Sequence, residues 1–329
     1  MIDGYTSFLL RKMGRVLESV IIKADRENEK WVRASPLDKK LKPFVVLAID
    51  EFERQMESFF STQQKEYLLR IGNLTYKRKR RTIRKAKKDS PTALVAMITE
   101  FVLADDEHYI NLLMELYEAF ATKTVLSSAK IIGGAVKGTQ MERQPSLTDK
   151  TVKWIQTNKI KFARDVQQST RDSITCVLTN GLISHEGTQP TVTGLYQLFL
   201  DGKLNEFNKG LKRDVRTSNT FDWNRARIVA RTETMSATNA GTLEGFRLSK
   251  VVTGKKWRCE GGPRSRSSHK AADNQTVPID KPFIVGGYEL MHPGDRSRGA
   301  AAKEVINCRC TMSGVSDAVV YARQKGVKP

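Results

Sequence analysis

The stretch "FRLSKVVTGKKWRC" (246–259) is where the chain changes texture. Good helix formers dominate before it. Within it Val251, Val252 and Thr253 are β-branched, Gly254 interrupts the run, and helix formers thin out. Branched side chains lose rotamer freedom in a helix and suit a pleated surface. Proline and glycine then recur up to residue 299, so this part reads as short strands and ordered loops packed on helices. The expected class is therefore α+β: a mainly helical N-terminal half, then a C-terminal domain of helix plus small sheet.

Working back from that point, a helix begins near Asp222. Trp223, Ala226, Ala230, Ala237 and Gly241 form a stripe of mostly small residues along it, which lets another element approach closely. Further upstream, Ser146 or Thr148 can cap a helix. Its apolar stripe is Val152, Ile155, Phe162, Val166, Ile174, Val177 and Leu178, and Asn180-Gly181 is a natural stop. The run 43–73 is apolar-periodic and predicts a long helix ending near Gly72-Asn73. Pro91 suits the first turn of another, continuing through the Leu-, Ala-, Met- and Glu-rich residues 92–126. "GGAVKGTQ" (133–140), followed by Pro145, predicts a linker. These readings divide the chain into a helical domain, 1–140, and a second domain, 141–329, whose motif core is 222–312.

Charge is the strongest global signal. Lys plus Arg number 56 against 36 acids, a net +20, which favours polyanionic partners held in a salt-sensitive way. Nine of those cations lie in "KRKRRTIRKAKK": Lys77, Arg78, Lys79, Arg80, Arg81, Arg84, Lys85, Lys87 and Lys88. With no acid among them and only Tyr76 at the border, the segment predicts sequence-independent contact with phosphate backbone rather than base stacking. The bland reading is a solvated linker or a strip for an acidic protein. No apolar run reaches the length of a membrane span, and Ser7 to Leu10 is too short for a signal-peptide core, so the expectation is a cytoplasmic start.

Between 230 and 310 several unusual pieces follow one another. Arg227 and Arg231 are i,i+4 neighbours, which disfavour each other unless an anion or acid meets them. Arg231 and Glu233 are two apart and must reach different partners. The order Ala230-Arg231-Thr232-Glu233, Lys255-Lys256-Trp257, Arg266-Ser267-Ser268-His269, Val277 to Phe283, Pro293-Gly294-Asp295 and Ile306-Asn307-Cys308-Arg309-Cys310 resembles the phage Mu F-like minor head proteins, the phage head morphogenesis family. The likeness covers roughly 150–312; the first 140 residues match no motif of that family. It implies a low-copy structural protein of tailed-phage heads, present in the virion and near the portal. Its implied partners are portal, major capsid or scaffold proteins and phage DNA, bound without sequence preference. One departure is "RCEGGPRS" (258–265), where the family usually carries an acidic loop.

Cys259, His269, Cys308 and Cys310 make a Cys₃His set, a normal composition for structural zinc. The C-x₉-H and C-x-C spacings are not those of common zinc ribbons, and His292 could stand in for His269. In a strand Cys308 and Cys310 would share one side and strain a tetrahedral site unless the chain turns. The competing readings are small buried cysteines with His269 on a loop carbonyl, a redox pair, or a virion disulfide. Arg309 on the opposite face is a candidate partner for Glu233 or Asp295. The resemblance also leaves an enzymatic alternative, because domains of this family occur beside ADP-ribosyltransferase modules. The E-x-E pairs that such chemistry uses, Glu27/Glu29 and Glu51/Glu53, fall outside the resembling region. No catalytic residue is assigned, and the expectation is a protein that is not an enzyme.

Overall fold

The computed structural model describes residues 27–74, 99–104, 106–135, 147–183, 223–249 and 251–316, with the side chains of 68, 71–74, 134–135, 176–183 and 223–224 outside the description. The basic segment 77–88, Pro91, Pro145 and Ser146 lie outside the described residues. The protein is α+β. Four long helices, α1 (Leu41–Leu74), α2 (Asp106–Ala135), α3 (Asp149–Ile183) and α4 (Trp223–Leu248), precede β1 (Gly254–Arg258), α5 (Ser267–Ala271), β2 (Thr276–Pro278), β3 (Phe283–Val285), β4 (Tyr288–Leu290), α6 (Ala302–Val305) and β5 (Thr311–Val315). Among the described residues no helix is long and apolar enough to cross a membrane.

The described residues fall into two compact units. One is drawn from Met1–Phe52, Ala121–Val152 and Ala230–Pro329, the other from Glu53–Phe120 and Lys153–Val229. The second unit is helical. Tyr117 stacks on Phe162 with centroids 4.8 Å apart, and Tyr67 meets Tyr109 edge-on at 5.6 Å. Several polar groups inside it are paired, as burial favours. Gln63 donates to Gln167 (2.9 Å), Gln167 to Asp106 (2.6 Å), and Arg171 pairs with Asp106 (2.7 Å). Arg227 meets the buried Glu53 carboxylate at 3.1 Å, the acid its i,i+4 spacing from Arg231 called for. Arg225 lies over Phe60 and donates to the Val166 carbonyl at 2.7 Å; burial lowers its pKa to about 10.

In the first unit the small stripe of α4 does what its residues allow. A Cβ at Gly241 would lie 2.4 Å from the Val125 carbonyl oxygen of α2, so the two backbones touch there. Gly245 is a second such contact: a Cβ there would lie 3.0 Å from the Ala129 oxygen, and the helix runs on to Leu248. Most residues from Ala226 to Phe246 are buried although many are Ser, Thr, Asn or Glu. Glu244 is fully buried and accepts from the Thr148 amide (2.8 Å), the Thr148 hydroxyl (3.0 Å) and the Thr151 hydroxyl (2.8 Å). The start of α3 is therefore tied down by a carboxylate from α4, with the Thr148 hydroxyl turned to that carboxylate.

Three further boundaries differ from the sequence expectation. The helix expected to run on from Pro91 is interrupted at Leu103-Ala104, and α2 starts afresh with Asp106 and Glu107 in its first turn, where acids favour the helix dipole. At its far end α2 includes Gly133, Gly134 and Ala135 of the expected linker. Asn180-Gly181, expected to stop α3, lies inside a helix that runs to Ile183. On α3, Ile155, Phe162, Val166 and Ile174 are buried as expected, but Val152 is 42% exposed.

The small sheet is antiparallel with order β2-β1-β5 and pairs Trp257 with Met312. A separate hairpin, β3-β4, turns through Gly286 (φ +59) and Gly287 (φ +84), the two positive dihedrals a tight hairpin turn requires.

Candidate functional site

The motif residues of the C-terminal region converge on α4 and the loops against it. On α4, Arg231 donates to Asn28 (2.8 Å) and lies over the Trp31 ring at 5.1 Å. Thr232 accepts the Asn307 amide (2.8 Å), and Glu233 pairs with Arg296 (2.7 Å). One turn on, Ser236 donates to the Gly294 carbonyl (2.9 Å), and Asn239 donates to both the Pro293 and Cys310 carbonyls (3.1 Å each). Gly294 has φ +83, and a Cβ there would sit 3.2 Å from the Ser236 backbone. Asp295 is fully buried and accepts the Met291 and Ser297 amides (2.9 Å each). Burial opposes its charge, but His292 and these hydrogen bonds outweigh it and lower its pKa. Lys255 donates to the Met291 carbonyl at 2.6 Å, and its pKa falls to about 7, chiefly because it is buried.

The cysteine–histidine cluster is built on this frame. Trp257 of β1 is fully buried and meets the His269 ring edge-on at 5.7 Å. Arg266 precedes α5 and donates to the Ile306 carbonyl (2.6 Å), joining α5 to the loop that carries the cysteines. Asn307 takes a positive φ of 54°, and the chain turns before Cys308. Cys308 to Cys310 is loop, not strand; β5 begins at Thr311. That turn lets both sulfurs face one imidazole: His269 Nδ1 lies 3.3 Å from Cys310 Sγ and 3.5 Å from Cys308 Sγ. Its Nε2 lies 3.1 Å from Glu304. The donor atoms of His269, Cys308 and Cys310 all lie within 4.8 Å of one another, and all three residues are buried.

The cluster is electrostatically uneven. Hydrogen bonding with Cys310 pulls Cys308 well below the usual thiol range, burial opposing it and His269 adding to it. Cys310 is pushed far up, first by Cys308 and then by burial, with a smaller contribution from the Cys259 thiol. Burial disfavours the His269 cation, yet Cys308 and Glu304 overcome this and raise its pKa. The arrangement can hold a thiolate beside a protonated imidazole, or offer soft ligands to a metal. Next to it a cleft of about 240 Å³ is bounded by Trp31, Arg231, Arg264, Arg266, His269 and Arg309, among others.

Two sequence expectations are corrected. Arg309 meets neither Glu233 nor Asp295; it pairs with Glu260 at 2.7 Å and faces Trp31 at 5.9 Å, because the turn at Asn307 directs it outward. His292 does not replace His269. It is buried away from the sulfurs, with Nδ1 3.1 Å from the Pro293 carbonyl oxygen, and burial lowers its pKa. Glu304, Asn239 and Arg296 are site residues that motif order did not single out. Glu304, four residues before Cys308, is the one that a closer look at "EVINCRC" could have raised.

Residues 202–313 match the model of the family described as phage Mu protein F like protein. Over these residues the chain is similar to the phage Mu F-like proteins, in the region where its ordered motifs lie. The chain is also similar to a Bacillus subtilis (strain 168) protein carrying the name "Uncharacterized protein YqbB", 23% identical over 316 residues, covering 94% of this chain and 93% of that one. A second relative is the NAD(+)–arginine ADP-ribosyltransferase EFV of Enterococcus faecalis, 28% identical over 136 residues, 40% of this chain but 26% of that protein. No solved structure matches.

Proposed function

We propose that the protein is a minor head component of a tailed bacteriophage. It joins portal, capsid or scaffold proteins during head assembly, resides in the head of the virion, and touches packaged DNA without sequence preference. The Mu F-like match over 202–313 carries this reading. The net charge of +20 supports it, since a protein enclosed with DNA meets phosphate on every side. Within the proposal, residues 77–88 supply much of the DNA contact and the cytoplasm is where assembly begins.

The role proposed is structural. Glu29, Glu51 and Glu53, from the two E-x-E pairs, are engaged by Arg33, Lys123 and Arg227. The likeness to the transferase covers about a quarter of that enzyme, so the activity in its name is not carried across.

The test is retention on non-specific duplex DNA across a salt series. Replacing the nine cations of 77–88 with glutamine should flatten the log–log salt slope by about 0.9 for each phosphate that is no longer neutralised. An unchanged slope removes this segment from the DNA interface. Mass spectrometry of purified particles tests the virion assignment, which fails if the chain is absent from them.

A further inference from the structure

We infer that Cys259, His269, Cys308 and Cys310 form a structural site for one zinc ion, holding β1, α5 and the loop before β5 together. The inference does not depend on a role in phage heads. It rests on donor geometry. A tetrahedral zinc with bonds of about 2.3 Å to sulfur and about 2.0–2.1 Å to nitrogen separates its nitrogen and sulfur ligands by roughly 3.6 Å. The two separations here are 3.3 and 3.5 Å, both from the same ring nitrogen.

The orientation of the ring carries the argument further. Nε2 faces the Glu304 carboxylate, an acceptor, so that nitrogen holds the proton when the imidazole is neutral. Nδ1 then presents its lone pair to two sulfurs at once. Without a metal, one S–H···N hydrogen bond satisfies that lone pair and the second sulfur bonds to the first. A metal uses both. The carboxylate behind the histidine is itself held, since Ser268 donates to Glu304 at 2.7 Å. Gly286 makes room for it: a Cβ there would come within 2.8 Å of the carboxylate. Metal-binding histidines are commonly oriented by such a carboxylate. On the other side of the cluster the Cys310 amide donates to Cys308 Sγ at 3.4 Å, a bond that favours the thiolate form zinc requires.

Cys259, just past the end of β1, supplies the fourth ligand. It is half-buried and lies outside the 4.8 Å group, yet close enough to Cys310 to influence its thiol. The 258–265 loop must move to bring it in. Binding releases the remaining thiol protons to solvent, and three sulfurs with one imidazole favour zinc over harder divalent ions. The physical need is plain. The strands here are three to five residues long, and small sheets with little core of their own gain order from a metal.

The test uses the full chain without a histidine tag, purified under reducing conditions. Elemental analysis should find one zinc per chain. The metal-free protein titrated with cobalt(II) should develop a thiolate charge-transfer band and the intense visible spectrum of a tetrahedral site, saturating at one equivalent. Cys308→Ser and Cys310→Ser should abolish both bands, and Cys259→Ser should weaken the charge-transfer band. Cys176, the remaining cysteine of the chain, is no part of the proposed set, so Cys176→Ser should leave both bands in place. Glu304→Gln keeps all four ligands and should lower affinity about 10–100-fold with the tetrahedral spectrum retained. Wild-type chain that takes up no cobalt(II) or zinc overturns the inference, and this result needs no variant to fold. A cobalt spectrum indifferent to Cys308→Ser and Cys310→Ser overturns it equally.

Discussion

Replacing Gly241 with alanine sets two effects of opposite sign against each other. On helix preference alone the change should help, because alanine exceeds glycine by about 1 kcal/mol in a helix interior. The structure reverses the sign. The added methyl would lie 2.4 Å from the Val125 carbonyl oxygen, 2.7 Å from Ser128 Cβ and 3.0 Å from Val125 Cα. An ordinary carbon contact is about 3.5–4.0 Å, so α2 and α4 must separate locally by roughly 1 Å. The nearest atoms are backbone and a Cβ, none of which can swing aside. Overpacking of this kind costs about 1–3 kcal/mol or more, and here it overrides the helical gain. The net expectation is a destabilisation of about 1–2 kcal/mol, seen as a melting temperature lower by several degrees. Gly245→Ala should be milder, since its closest contacts are 3.0 and 3.2 Å. Gly262→Ala, whose nearest neighbour would be a Glu260 carboxylate oxygen at 3.1 Å rather than backbone, should cost least. Thermal and urea melts of the three variants give the ranking. A Gly241→Ala protein as stable as its parent would refute the close approach of α2 and α4.

Arg227→Met removes the guanidinium facing the buried Glu53 carboxylate and should cost about 3–5 kcal/mol in urea unfolding. Adding Glu53→Leu to it should recover most of that stability, and failure to recover would show that the pair is not an isolated unit. Lys255 gives a pH signature. Its folded pKa of about 7 lies below its unfolded value, so the unfolded chain binds the extra proton between pH 7 and about 10.5 and stability rises with pH across that window. Arg247 and Arg298 oppose its charge while Asp280 and Asp295 favour it, yet burial dominates. Relative to Lys255→Met, the parent should gain roughly 2 kcal/mol between pH 7 and 9. Parallel stability–pH curves for the two proteins would show that Lys255 is charged in the fold.

Much of the architecture was legible without coordinates, and for a physical reason. Helix preference, apolar periodicity and the shift to β-branched residues after Gly245 are local properties, so four long helices followed by a small sheet could be read directly from the chain. The small-residue stripe on α4 likewise announced a close neighbour. Boundaries were less legible where tertiary contacts outvote local preference. Gly133 and Gly134 stay helical, and Glu244 takes the Thr148 hydroxyl expected to serve as a cap.

The site divides in the same way. The order of Arg231, Trp257, His269, Pro293-Gly294-Asp295 and Cys308-Arg309-Cys310 showed the resemblance from sequence alone, because motif order survives without geometry. Composition also named a Cys₃His set, but spacing argued against it. Only the fold showed that a left-handed turn at Asn307 brings Cys308 and Cys310 onto one imidazole nitrogen, with Glu304 behind the ring. It also sent Arg309 to Glu260 and gave Glu233 to Arg296. Periodicity and composition act over a few residues and are written along the chain. Which donors meet across about 40 residues of chain depends on where packing places each backbone, and that is decided in three dimensions.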